Sequence, residues 1–237
     1  MAYALTVKHI RASLNKDPPD AAPIALKSAH FFIARSHWSF TMPTPQEIAQ
    51  LRADLTQHVN LMGQNLSLHS TWGLFSPREI DDGTRLLLDF LDAPKPGQTV
   101  VDLGCGYGPI GLTLAKAEPS AALILLDKDF VACEFAAANA ARNHLANVTV
   151  KLSNGLSAVQ NTKLDRIVSN VPAKVGKELW SIMLFDAWQN LTPGGDIWFV
   201  SINGLRDYFK RTFKEQFGNY DKIKQGQDYT VHRAVKE

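Results

Sequence analysis

The sequence predicts a doubly wound α/β fold: a mostly parallel seven-stranded sheet with helices on both faces, preceded by a small, mainly helical appendage over residues 1–70. Three observations carry this. From residue 71 on, short apolar runs alternate with longer segments of helical spacing, the pattern of a parallel sheet covered on both sides. A glycine cluster, Gly104 to Gly108, follows directly on the first of those runs. The chain's 237 residues suit one full domain plus an appendage, at roughly 100–200 residues per domain. With 45% apolar and 20% charged residues, the composition excludes a disordered chain.

Within residues 1–70, Gln46 to Val59 reads as a helix, because Ile48, Leu51, Leu55 and Val59 fall at helical spacing. Thr44 is its expected N-cap, with Pro45 in the first position and Glu47 in the first turn. This appendage is a candidate for substrate recognition, and 71–237 is the expected catalytic domain. There, Asp81–Leu91 reads as a helix, Thr99–Leu103 as a strand, Pro109–Ala117 as a helix and Ala122–Leu126 as a strand. Phe130–Asn143 is an Ala-rich helix, followed by strands at Val148–Leu152 and Leu164–Ser169. Glu178–Asn190 is a helix closed by the turn residues Thr-Pro-Gly-Gly. Ile197–Ser201 is a strand and Leu205–Phe217 a helix. Tyr220–Lys224 and Tyr229–Ala234 form a last antiparallel pair, placing one antiparallel strand at the end of the sheet.

The segment Val100-Val101-Asp102-Leu103-Gly104-Cys105-Gly106-Tyr107-Gly108-Pro109 carries the first chemical signal. A strand ends, glycines turn the chain tightly, and a helix begins, which lets the backbone approach a ligand closely. Asp127, 21 residues beyond Gly106 and at the end of the next strand, is placed to grip ribose hydroxyls. Gly106, Gly108 and Gly111 satisfy the dinucleotide spacing G-x-G-x-x-G, so that match alone leaves NAD open. Two features argue against it: the glycines run from Gly104 as G-x-G-x-G, and Asp102 at the strand's end would repel a pyrophosphate. The same carboxylate would attract the ammonium group of S-adenosylmethionine, which carries no phosphate.

In these residues the chain resembles the class I S-adenosylmethionine-dependent methyltransferases, a Rossmann-like fold. The resemblance implies that Asp102, Gly104, Cys105 and Gly106 line the methionine end of that cofactor. Asp127 would bind the ribose and Lys128 would flank the adenine. Asn154 and Gly155 would meet the adenine amino group, where relatives often carry Asp; an Asn oxygen still accepts that hydrogen bond, without charge. Asp129 reads instead as the N-cap of the helix at Phe130.

Asp165-Arg166-Ile167-Val168-Ser169-Asn170-Val171-Pro172-Ala173-Lys174 follows the next strand. Amino-methylating relatives have Asn-Pro-Pro and then an aromatic residue here. By that likeness the Asn170 side-chain oxygen and the Val171 carbonyl, with Pro172 stiffening the turn, accept the two hydrogens of a planar amine. That aims its lone pair and stabilises the charge that grows on the nitrogen. Ala173 stands where the aromatic would stack on a flipped base; Phe75, Trp72 or Trp180 could supply the missing ring. A second stretch, Thr71-Trp72-Gly73-Leu74-Phe75-Ser76-Pro77 with Asp81-Asp82-Gly83-Thr84, resembles the ribosomal RNA small subunit methyltransferase C family, which methylates guanine N2. This implies that Phe75, Ser76, Asp81, Gly83 and Thr84 wall the methionine end and the target pocket. Lys174-Val175-Gly176-Lys177 resembles short members of the same group and makes Lys174 a substrate contact.

The expected partner is structured, ribosomal RNA. Methylation of a protein amide or a small-molecule amine, and cofactor binding without catalysis, stay open as alternatives. Two cysteines exclude a disulfide framework and a Cys-rich zinc site, and the seven histidines show no ligand spacing, so no metal is expected. The longest clean apolar run, Ala121 to Leu126, falls far short of the roughly 20 residues of a membrane span. With no leader pattern at the start, the chain reads as cytoplasmic.

Overall fold

The computed structural model describes residues 44–47, 55–172 and 176–237. Strands β3 (Thr99–Leu103), β4 (Ala122–Asp127), β5 (Val148–Leu152), β6 (Leu164–Asn170) and β7 (Leu191–Ile202) run parallel. With β8 (Asp221–Gln225) and β9 (Tyr229–Val235) they form one seven-stranded sheet of order β5-β4-β3-β6-β7-β9-β8. β9 pairs antiparallel with both neighbours, so the antiparallel strand sits inside the sheet and β8 is its edge. This is the doubly wound sheet the sequence predicts.

Side chains alternate across the strands and feed two cores. Val100, Leu123, Leu125, Val168, Trp198 and Val200 face one layer, with Leu87, Leu112 and Ala136 of helices α1 (Asp82–Phe90), α2 (Pro109–Ala117) and α3 (Phe130–Arg142). Val101, Leu126, Ile167, Ile197 and Phe199 face the other, with Trp180 and Leu184 of α4 (Lys177–Asn190) and Phe209 and Phe213 of α5 (Arg206–Phe217). Because both faces are covered, these strands read as continuous apolar runs. Helix starts follow their caps: Asp81 accepts from Thr84 N at 3.2 Å, and Asp129 from Val131 N at 2.8 Å. No described helix is long and apolar enough to cross a membrane.

Two elements depart from expectation. Thr44 and Glu47 form a reciprocal capping box, Thr44 N to Glu47 Oε2 at 2.7 Å and Glu47 N to Thr44 Oγ at 3.2 Å. Of the helix predicted over 46–59, however, residues 55–59 belong instead to strand β1 (Leu55–Leu61), which pairs with β2 (Gln64–Ser70) in a hairpin, and 48–54 lie outside the described residues. The spacing of Leu55 and Val59 suits a strand as well as a helix. Met62 and Gly63 turn the hairpin with φ of 49° and 73°, the backbone a two-residue loop requires. Secondly, Thr-Pro-Gly-Gly lies within β7: Leu191 pairs with Leu164 and Asp196 with Arg166, so the residues between are looped out.

Two side chains, one in α3 and one at its C-cap, hold the hairpin as a neighbouring strand would. Asn139 accepts from His69 N at 2.8 Å and donates to His69 O at 2.8 Å. Asn143 does the same with Ser67 N and O, at 3.0 and 2.8 Å. The hairpin therefore belongs to the compact unit that runs from Pro43 to Glu237, and a boundary after residue 70 falls inside that unit. Apart from Thr44 to Glu47, the rest of the predicted appendage lies outside the described residues.

Candidate active site

The sheet order reverses between β3 and β6, and the carboxyl ends of strands flanking such a reversal are where doubly wound sheets bind ligands. Gly104 N and Cys105 N both donate to Leu126 O, at 2.8 and 3.0 Å, which folds the loop after β3 over β4. Gly106 N donates to Asp127 Oδ2 at 2.9 Å, and Asp129 N to Asp127 Oδ1 at 2.9 Å. Gly104 and Gly106 hold φ of 74° and 55°, and a Cβ on either would meet nothing within 4 Å. Glycine serves the backbone there and leaves open space above it.

Asp102 is fully buried beneath this loop. Its Oδ2 accepts from Gly111 N at 2.8 Å, whereas Oδ1 is buried without a hydrogen-bond partner. Burial pushes its carboxyl up from 3.8 to about 7; the Gly111 amide opposes this and the Asp127 charge adds to it. An orphaned carboxylate oxygen calls for a cation or donor. Burial also pushes the Cys105 thiol up, which keeps it protonated and no nucleophile.

Beside Asp127 lies an apolar wall that sequence reading missed. Leu152, its register partner, and Phe130 are 57% and 62% exposed. Lys128 and Asn154 are exposed at the same strand ends, and Gly155 turns with φ of 60°. An open apolar face, an acceptor and the Asp127 carboxylate suit a nucleoside. The donor set thus fits S-adenosylmethionine: Asp102 for its cationic amino-acid end, Asp127 for ribose hydroxyls, Leu152 and Phe130 for adenine.

Asn170 ends β6, two strand spacings from Asp127, roughly 10 Å across the sheet. Its Nδ2 donates to Asp81 Oδ2 at 2.7 Å and to Thr84 Oγ at 3.0 Å. Tyr229 Oη donates to Asp81 Oδ1 at 3.0 Å. Val171 N donates to Val200 O at 2.9 Å, which extends the strand and fixes the backbone after Asn170. Pro172 is exposed; Ala173 and Lys174 lie outside the described residues. The buried Tyr107 reaches from the glycine loop to Ser76 O at 3.1 Å and ties down the 71–80 segment. Phe75 there is 68% exposed, and the Arg78 guanidinium lies 4.4 Å over the Trp72 ring. Trp180 is not available as a base platform: it is buried and packs edge-on against Phe199 and Phe209 at 5.6 and 5.9 Å. Tyr229 and Tyr107 also escaped the sequence reading, since their partners lie far along the chain. Among the described residues no cluster could hold a metal ion.

A family model described as "Methyltransferase small domain" matches residues 65–233. The chain belongs to that family. It is 33% identical over 171 residues to "Ribosomal RNA large subunit methyltransferase G" of Streptomyces coelicolor, covering 70% of this chain and 45% of that one. It is 32% identical over 146 residues to "Uncharacterized protein YbxB" of Bacillus subtilis, covering 61% and 73%. In structure it resembles the T. thermophilus 16S rRNA N2 G1207 methyltransferase RsmC, solved in complex with AdoMet and guanosine. That match has a TM-score of 0.71 and 26% identity, and covers 78% of this chain and 51% of that one. The chain thus spans about half the length of these ribosomal RNA methyltransferases.

Proposed function

We propose that this chain transfers the methyl group of S-adenosylmethionine to an exocyclic amine of ribosomal RNA, guanine N2. The observation that carries the reading is the Asn170 side chain. Both its N–H groups have acceptors in Asp81 and Thr84, so its oxygen remains for an incoming amine. The similarity to a structure solved with AdoMet and guanosine supports the choice of base.

When bound, the cofactor supplies an electrophilic methyl on a cationic sulfur. The chain's own residues hold the acceptor. Asn170 Oδ1 takes one amine hydrogen and the Val171 carbonyl the other, which holds the NH2 plane and aims the nitrogen lone pair. As positive charge grows on nitrogen, both oxygens stabilise it more than they did the neutral amine. No base is needed for attack, because the proton leaves after the methyl has arrived. Phe75, exposed on a segment fastened to the glycine loop through Tyr107, offers a ring for the splayed base; such stacking contributes roughly 1–3 kcal/mol.

The test is transfer of a tritium-labelled methyl group to separated RNA, protein and metabolite fractions, with the RNA digested to nucleosides. Label in N2-methylguanosine is expected. Label confined to protein or metabolites would replace the substrate class, and none anywhere would favour binding without catalysis. Asn170→Ala should cut transfer on the order of 100–1000-fold with the cofactor Kd nearly unchanged; an unaltered rate removes Asn170 from the mechanism.

A further inference from the structure

The Asn170 amide has two ends of nearly the same shape and opposite roles: its nitrogen donates and its oxygen accepts. Turned by half a rotation, it would meet the target amine with N–H groups and repel it. Only one of its two orientations is productive, and strand β6 does not decide between them. The surroundings do. Nδ2 lies 2.7 Å from Asp81 Oδ2, an oxygen that already accepts from Thr84 N, so the donating end of the amide is the one that faces it.

Asp81 is itself held from two sides. Oδ2 accepts from Thr84 N at 3.2 Å, and Oδ1 accepts from the Tyr229 hydroxyl at 3.0 Å, across 148 residues of chain. Tyr229 opens β9 and reaches Asp81 over Gly83. A Cβ at position 83 would lie 2.8 and 2.9 Å from two Tyr229 ring carbons and 2.9 Å from Asp81 Oδ2. Gly83 sits inside helix α1, so it is there for space and not for an unusual backbone.

We propose that Tyr229 and Asp81 are positioning residues for methyl transfer: the Tyr229 hydroxyl fixes the Asp81 carboxylate, which turns the Asn170 amide so that its oxygen faces the target amine. This rests on the reading that Asn170 receives that amine. Burial, and then the charge and hydrogen bond of Asp81, push the Tyr229 hydroxyl up to about 12. It therefore stays a donor throughout the working pH range.

The test uses two variants of the full chain. Tyr229→Phe removes only the hydroxyl. Gly83→Ala, favoured by helix propensity, forces the Tyr229 ring and Asp81 apart. Two readouts are taken. One is the transfer rate from labelled S-adenosylmethionine to transcribed small- and large-subunit ribosomal RNA. The other is the Asn170 side-chain amide signal in nitrogen–proton NMR spectra, assigned by its loss in Asn170→Ala. Both variants should lower kcat by on the order of tenfold, the worth of a charge-assisted hydrogen bond. In Tyr229→Phe, KM for RNA and the cofactor Kd should stay within about twofold, because the lost hydroxyl bonds only to Asp81. Both variants should shift the Asn170 amide pair and speed its exchange with solvent. A purely structural tyrosine would lower the melting temperature and leave both the amide signal and kcat of the folded enzyme in place. Wild-type turnover, or an unmoved amide signal, in both variants overturns the proposal. If Asn170→Ala itself transfers at the wild-type rate, the reading of the site fails; if Asn170→Ala is inactive and Tyr229→Phe is not impaired, only the positioning role fails.

Discussion

Replacing Asp102 by Asn should shift the stability difference between the two cofactor-free proteins progressively in the variant's favour as pH rises. The wild-type carboxyl is fully buried, with one oxygen unpartnered, and its pKa is raised from 3.8 to about 7. A carboxyl raised in this way favours folding most below 3.8; that contribution is lost as pH rises through 7, because the unfolded chain ionises freely and the folded one cannot. Each pH unit inside that window costs about 1.4 kcal/mol. Between pH 5 and pH 8 the wild type therefore loses about 3 kcal/mol that Asp102→Asn, which does not titrate, keeps. Any constant cost of the new amide cancels in the comparison of the two pH values. For a domain of this size 3 kcal/mol corresponds to roughly 6–12 °C. Thermal melts of both proteins at pH 5 and pH 8, without cofactor, measure the difference directly. A melting-temperature gap that does not change with pH would refute the account of Asp102 as a buried, destabilised charge. If Asp102 meets the cationic end of S-adenosylmethionine, the same substitution should weaken its binding about tenfold or more, since a neutral amide would replace a charged acceptor. Calorimetry with the cofactor checks this.

His232 titrates in the opposite sense. Burial, with a smaller effect of Arg206, pushes its imidazole down from 6.5 to about 4, while Ser201 and Tyr220 bond its two nitrogens. Its contribution is present above 6.5 and is lost as pH falls toward 4. The stability gap between wild type and His232→Gln should therefore shrink by about 3 kcal/mol from pH 7 to pH 4, read by urea titration. Asn139→Ala removes the three hydrogen bonds that Asn139 makes with His69 N, His69 O and Tyr107 O. It should cost about 2–4 kcal/mol, and hydrogen exchange should show the amides of β2 opening first.

The central strands were legible because burial on both faces leaves a continuous apolar signature that little else produces. The run Val100–Leu103 ending in Gly104, and Ile167–Ser169 ending in Asn170, also put those two residues at the carboxyl ends of the neighbouring strands β3 and β6. The β1–β2 hairpin was not legible. Leu55 and Val59 fit two periods at once, and its turn rests on Met62, a residue that gives no warning of a positive φ. Tyr229 was invisible for a different reason: its meaning depends on Asp81, and nothing local to 229 announces that contact. Gly83 was the available clue, a helical glycine where alanine would be the better former. Trp180 shows the converse, an aromatic side chain that the sequence offers to the substrate and the core claims.

The pair Asn139 and Asn143 imposes a limit on how this fold can vary. Four residues of helix advance about 6.0 Å, and two residues of strand about 6.8 Å. A helix can thus imitate the edge of a sheet for two rungs, and a third would be displaced by more than an ångström. The helix ends at Arg142, and Asn147, in the turn beyond it, binds the carbonyls of Ala115, Glu118 and Ala121. Losing one residue from either ruler would slide both rungs out of match at once, so length changes in this protein should collect in its loops and spare α3 and β2.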